Sequence, residues 1–281
     1  MNSNKKNQES WPTYLNWFHA RRAGITEKIL SVTRSDGQNP YEWLMGDISQ
    51  NAMALDLACG SAPLGASFPG FSWVGIDRSS GELGEAASKS MPKLTQGDVG
   101  ELPFCDNAFE LVVCSMALML FDSVDAVLVE IRRVLRQGGT LLLLLPGSYP
   151  LSWRDRLRYF RVLLALGELR PSYPNQIHLG PLARRLKNTG FEVVRDNRKC
   201  FKYPLANMDF VRSFIESFYA RFADQRRLEK AMGIAHKWEG SEIGIPLRRL
   251  ECIKVADHHV SFHVNHCPHR IFMVSRIGFQ N

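Results

Sequence analysis

A chain of 281 residues with 45% hydrophobic content has the length and apolar share of one generous α/β domain, with or without a cap, and not those of a disordered chain. The net charge of +7 is uneven: residues 1–148 carry 12 Lys/Arg against 16 Asp/Glu, and residues 149–281 carry 23 against 12. A basic half suits an anionic substrate, nucleic acid or a membrane surface, and equally plain solubility, so charge alone excludes none of them.

The first ten residues are polar and lack the apolar stretch of a secretory signal. Trp11 to Leu30 follows with the spacing of one or two amphipathic helices, rich in aromatics at Trp11, Tyr14, Trp17 and Phe18. From residue 52 to 147, short apolar runs alternate with helical patterns. Met53–Leu57, Trp73–Ile76, Leu94–Gly97, Leu111–Ser115 and Leu141–Leu145 are predicted strands. Val124 to Leu135 has apolar residues at helical spacing, and the Gly138-Gly139 pair is expected to end that helix. Leu151 to Leu169 predicts a basic amphipathic helix, Leu182 to Asn188 a short helix, and Phe191–Val194 a sixth strand. Residues 207–256 read as largely helical, and Val260–Val264 and Ile271–Ser275 alternate like strands, at least one of which should close the sheet. Near-continuous apolar strands alternating with helices predict a doubly wound, mostly parallel α/β sheet covered on both faces. The expected division is N-terminal helices over 1–50, a Rossmann-like core over 51–203, a helical cap over 204–256 and closing strands over 257–281. The longest apolar run, around Leu141–Pro146, is far too short to span a bilayer. The six cysteines form no CxxC pair and are expected as reduced thiols, consistent with a cytoplasmic location.

The chemistry is suggested by Ala54-Leu-Asp-Leu-Ala-Cys-Gly-Ser-Ala62, where an apolar strand ends in Asp56 and a loop of small residues leads to the next helix. Backbone there can approach a ligand closely. The second strand ends in Asp77, placed to accept two hydrogen bonds from a ribose diol. These two features fit any adenosine-containing cofactor. The loop lacks the G-x-G-x-x-G spacing used around a pyrophosphate, a third acidic residue, Asp98, follows the third strand, and no Tyr-x-x-x-Lys pair follows the fourth.

At this point the sequence resembles the class I S-adenosylmethionine-dependent methyltransferases, particularly the group acting on small molecules. The resemblance rests on Leu55-Asp-Leu-Ala-Cys-Gly60, Val74-Gly-Ile-Asp77, Gly97-Asp98, Leu102-Pro-Phe-Cys-Asp-Asn-Ala-Phe-Glu-Leu-Val-Val113 and Glu130-Ile-Arg-Arg-Val-Leu-Arg-Gln-Gly-Gly-Thr140. It implies that the loop from Asp56 through Ala58 and Gly60 to Ala62 holds the methionine part of S-adenosylmethionine. Asp77 is then expected at the ribose, Arg78 beside the adenine, Asp98 at the adenine amino group with Val99 alongside, and Ser115 and Met116 towards the sulfonium. Family members usually carry glycine where this chain has Ala58 and Ala62; Ala58 is expected to sit at negative φ without difficulty.

Methyl transfer is an in-line displacement in which the protein mainly aligns the reactants, so the resemblance implies no universal catalytic residue. His178, and after it His19, are the candidate general bases. Tyr14, Trp17 and Arg22 are candidates to close the site, and Tyr149 and Arg154 to bind the acceptor, a small molecule that a basic, aromatic cap allows to be anionic or aromatic. The C-terminal histidines between His258 and His269 read as a solvated strand face and loop, so no metal is expected. Two other readings are an RNA methyltransferase using the basic half and a degenerate methyltransferase fold acting as a binding protein. A nucleic-acid substrate is not expected, since no separate RNA-binding module and no Asn-Pro-Pro-Tyr-like segment is present.

Overall fold

The computed structural model describes residues 10–46, 48–89, 93–175 and 179–256. Three helices come first: α1 (Trp11–Arg21), α2 (Ile25–Leu30) and α3 (Pro40–Met45). Helix α1 starts where the Ser10 hydroxyl accepts the Thr13 N–H, and α3 starts at a reciprocal capping box between Asn39 and Glu42. The core then runs β1 (Met53–Leu57), α4 (Pro63–Ser67), β2 (Ser72–Asp77), α5 (Ser80–Ser88), β3 (Leu94–Gln96), β4 (Phe109–Ser115), α6 (Val124–Val134) and β5 (Leu135–Pro146). It continues through α7 (Trp153–Leu166), α8 (Leu179–Asn188), β6 (Phe191–Leu205), α9 (Met208–Glu216), α10 (Gln225–His236) and β7 (Ser241–Lys254).

The seven strands form one sheet in the order β3-β2-β1-β4-β5-β7-β6, with β7 antiparallel to both neighbours and the pairings among β1 to β5 parallel. This is the doubly wound, mostly parallel sheet expected from the alternation of strands and helices. Successive side chains leave a strand on opposite faces, and the core divides accordingly. Ala54, Leu111, Val113, Leu142 and Leu144 pack under α3, α7, α9 and α10; Leu55, Leu57, Val112, Cys114, Leu141 and Leu143 pack under α6 and α8. The chain turns from β1 one way to β2 and β3 and the other way to β4 and β5, so a crevice opens at the carboxyl ends of β1 and β4, where such sheets bind ligands.

Three expectations need correction. Helix α6 ends at Val134, before the glycine pair; Leu135 already has extended backbone, and Gly138, at φ 70°, lies within β5 where its register against β4 shifts between Phe109 and Leu111. The glycines therefore bend a strand instead of stopping a helix. The segment 207–256 is helical only through α9 and α10, because residues 241–254 form the long strand β7 between β5 and β6. Strand β6 runs to Leu205, far beyond Val194. Val260–Val264 and Ile271–Ser275 lie outside the described residues, and in the described sheet β7 fills the closing position. Among the described residues no helix is long and apolar enough to cross a membrane.

Candidate active site

The carboxyl ends of β1, β2 and β4 deliver Asp56, Asp77 and Ser115 to one crevice, in a register that sets Asp56 beside Gly75 and Val113. The loop after β1 is wound tightly. Ala58, Gly60 and Ala62 have φ of 53°, 53° and 54°, so alternate residues occupy the left-handed region, and Ala58 is not at the negative φ expected for it. The winding turns backbone N–H groups inward: Cys59 donates to the Ile76 carbonyl at 3.0 Å and Gly60 to the Asp77 carboxylate at 2.9 Å. The loop is also close to β2, since a Cβ on Gly75 would lie 3.0 Å from the Cys59 sulfur.

Asp77 holds the crevice together from the other side. One carboxylate oxygen accepts the Gly60 N–H and the other the Ser79 N–H at 2.8 Å. Each oxygen keeps a further lone pair for a ligand hydroxyl. Burial is the main influence raising the Asp77 pKa, opposed by these two backbone bonds. Asp56 is more extreme. It is buried, its Oδ2 has no hydrogen-bond partner among the described residues, and burial followed by the neighbouring Asp77 charge pushes its pKa up to about 8. A buried carboxyl oxygen without a partner at a ligand-sized cavity suits an incoming cation or donor.

These groups line a cavity of about 270 Å³. All nine residues expected around the cofactor, Asp56, Ala58, Gly60, Asp77, Arg78, Asp98, Val99, Ser115 and Met116, are on its wall. Asp98 accepts the Gly100 N–H at 2.7 Å, which fixes the loop after β3. His19 is there too, brought in because α1 lies directly on α5. A Cβ on Gly81 would come within 3.1 Å of the Ala20 Cα and 3.2 Å of the His19 carbonyl, so only glycine permits that approach without displacement. His19 Nδ1 is 2.8 Å from Glu82 Oε1, and its Nε2 is 3.4 Å from the Tyr219 hydroxyl. The other Glu82 oxygen accepts the Gly24 N–H at 2.9 Å, tying the junction of α1 and α2 to the core.

A second cavity of about 670 Å³ adjoins the first, and Thr26, Met116 and Tyr219 line both. Its wall is largely apolar, with Leu163, Leu166, Phe214, Phe218 and Ile245, and with Arg156, Glu168 and Arg170 as charged exceptions. Tyr149 is also on its wall. Tyr14, Trp17, Arg22 and Arg154 line neither cavity. Tyr14 is buried in the aromatic cluster of α1, Trp17 lies under the Arg21 and Arg22 guanidinium groups, and Arg22 donates to the Glu216 carbonyl at 2.9 Å. Helical rotation gives the cavity-facing side of α1 to Leu15, Asn16 and His19. Arg154 is exposed on α7, over the Trp153 ring. His178 and the C-terminal histidines lie outside the described residues.

Sequence reasoning missed Glu82 and Tyr219. Glu82 had a signal, because Ser79-Ser-Gly-Glu82 has the spacing of a capping box; here the serine caps α5 at the Glu82 N–H while the glutamate turns to His19 instead. Tyr219 had none, since only the tertiary fold carries the segment after α9 to the crevice.

The family described as a methyltransferase domain matches residues 55–143. A protein of Encephalitozoon cuniculi that carries a methyltransferase name is 37% identical over 160 residues, covering 52% of this chain and 73% of that protein. The demethylmenaquinone methyltransferase of Mycolicibacterium paratuberculosis is 35% identical over 130 residues, covering 44% of this chain and about half, 54%, of its own length. In fold, a Bacillus halodurans structure titled as a methyltransferase aligns with TM-score 0.55 and 19% identity, covering 77% of this chain and 99% of that one. The fold, the cradle at the ends of β1 and β2, and these relatives agree: the chain belongs to the class I S-adenosylmethionine-dependent methyltransferases.

Proposed function

We propose that this methyltransferase acts on a small, largely apolar acceptor held in the second cavity, with the cofactor in the first. When bound, S-adenosylmethionine supplies a methyl group made electrophilic by its sulfonium. In this reading Asp56 faces the cationic amino-acid end, Asp77 the ribose hydroxyls, Arg78, Asp98 and Val99 the adenine, and Ser115 and Met116 the reacting end. The observation that carries the proposal is the shared wall of the two cavities at Thr26, Met116 and Tyr219. An acceptor held against it would adjoin the residues that would hold the methyl-bearing end, and the apolar lining would exclude water. The demethylmenaquinone methyltransferases among the relatives are, by name, precedent for a small-molecule acceptor.

Where the acceptor must lose a proton, Tyr219 and His19 would take it in this reading. With Nδ1–H donated to Glu82, the His19 Nε2 is free to accept from the Tyr219 hydroxyl. The acceptor proton would pass to the Tyr219 oxygen as the Tyr219 proton passes to His19, with Glu82 stabilising the resulting imidazolium. The test is transfer of labelled methyl groups to fractionated small-molecule extracts. The expected result is label in an apolar fraction, with kcat lowered about 100-fold or more in Tyr219→Phe while S-adenosylhomocysteine affinity is kept. Label entering RNA alone would overturn the proposal.

A further inference from the structure

Helix α7 is amphipathic in an unusual sense. Its buried side, Val162, Leu163, Ala165 and Leu166, meets the core, yet Trp153, Leu157, Phe160 and Leu164 form a second apolar stripe 71%, 50%, 50% and 55% exposed. These four fall at i, i+4, i+7 and i+11, a single line along the helix, turned away from the sheet. Tyr149 and Leu169, 63% and 79% exposed, extend the line at both ends. Helical rotation puts Arg154 and Arg161 along one border of the stripe and Arg156 along the other, and Arg170 stands beyond the C-terminal end. All four arginines are exposed and make no ion pair among the described residues. The one acidic residue of the helix, Asp155, is buried and spent on the N-terminal cap with Ser152. The outward face of α7 is thus apolar along its middle and cationic on both borders.

We propose that this face docks the protein on an anionic lipid bilayer, with Trp153, Leu157, Phe160 and Leu164 inserted at the acyl boundary and the bordering arginines on the headgroups. Charge complementarity selects this occupant, because an apolar stripe between rows of arginine matches the layered chemistry of such a surface. Continuity with the second cavity gives docking a purpose. Tyr149, Phe160, Leu169, Arg156 and Arg170 belong both to the docking face and to the wall of that cavity. An apolar acceptor dissolved in the bilayer would enter without crossing water. Only this last consequence rests on reading the second cavity as the acceptor site; docking itself does not depend on it.

The experiment is flotation of the full chain with phosphatidylcholine vesicles, with and without phosphatidylglycerol, alongside S-adenosylhomocysteine titration of the same preparation. The proposal expects binding to the anionic vesicles at least about tenfold tighter than to neutral ones, weakening with salt. It expects loss of binding in Trp153→Glu/Leu157→Glu and in Arg154→Glu/Arg161→Glu, each with unchanged ligand affinity and thermal stability. A folded, ligand-binding wild type that floats with neither vesicle would overturn it. So would a dimer in solution that Trp153→Glu/Leu157→Glu converts to monomer, since a second copy would then cover the stripe. Crosslinks from residues 257–281 to the stripe that persist in the presence of vesicles would overturn it as well. A failure of ligand binding instead speaks against the cofactor assignment and leaves flotation to be read on its own.

Discussion

Two residues of the loop after β1 store a cost that can be measured. Ala58 holds a left-handed conformation, which costs an L-residue roughly 1–2 kcal/mol, while glycine there would lose about 0.5–1 kcal/mol through the unfolded chain. Ala58→Gly is therefore expected to raise thermal stability slightly, by about 0.5–1 kcal/mol, read in a melting experiment. Ala62 shares the conformation but is fully buried, so its glycine variant also loses packing and should gain less. Asp56 sets a pH dependence. Its folded pKa is raised to about 8, above the ordinary carboxylate value, so its contribution to stability is complete at acid pH and is lost as pH rises towards 8. A ligand ammonium favours the ionised carboxyl, so S-adenosylhomocysteine should bind more tightly from pH 6 to 8 with proton release below pH 8. In Asp56→Asn that pH dependence should flatten; calorimetry in buffers of different ionisation enthalpy checks both. That the residues expected around the cofactor gather at one cavity was legible because the family pattern runs continuously along the chain here. The strain at Ala58 was not, since φ depends on how the loop is wound against β2.

At the scale of elements, the site depends on α1 lying on α5. Gly81→Val would force a side chain against the Ala20 backbone and the His19 carbonyl, lifting α1 and with it His19 and Leu15. The expected outcome is S-adenosylhomocysteine affinity lowered at least tenfold while the core sheet persists in far-UV circular dichroism. Affinity equal to wild type would mean that α1 does not shape the cavity. Strands β1 to β4 and helix α6 were readable because each obeys one local period. Strand β7 was not. Its stretch Ser241–Lys254 carries Gly244, Pro246 and the adjacent Arg248 and Arg249, which local reasoning sends to solvent. The sheet buries both arginines: Arg248 pairs with both oxygens of Asp196 at 2.7 and 2.6 Å, and Arg249 reaches the Leu44 carbonyl and Glu251.

For the whole molecule, this alters the meaning of the charge. Part of the basic half is structural, since Arg248, Arg249 and Lys254 are buried with partners, and the exposed remainder includes the arginines of α7. Arg248→Ala would strip a half-buried bidentate pair and leave the Asp196 carboxylate open to water, and is expected to destabilise the fold by about 1.5–3 kcal/mol, measured by denaturant unfolding. The same pair gives acid sensitivity of the opposite sign to Asp56. Arg248 holds the Asp196 carboxyl below its usual range, so that stability is present above the unfolded pKa and lost as pH falls through the folded one. Composition showed a basic half, but only the tertiary structure divides it between core and surface.

The central claim is that the crevice at the ends of β1, β2 and β4 is the cofactor site of a methyltransferase. Calorimetric titration with S-adenosylhomocysteine of the wild type and Asp77→Ala tests it most directly. The account predicts saturable one-to-one binding that the substitution weakens at least tenfold, about 1.4 kcal/mol, with the fold retained. No binding by a folded wild type, or equal binding by the two proteins, would contradict it.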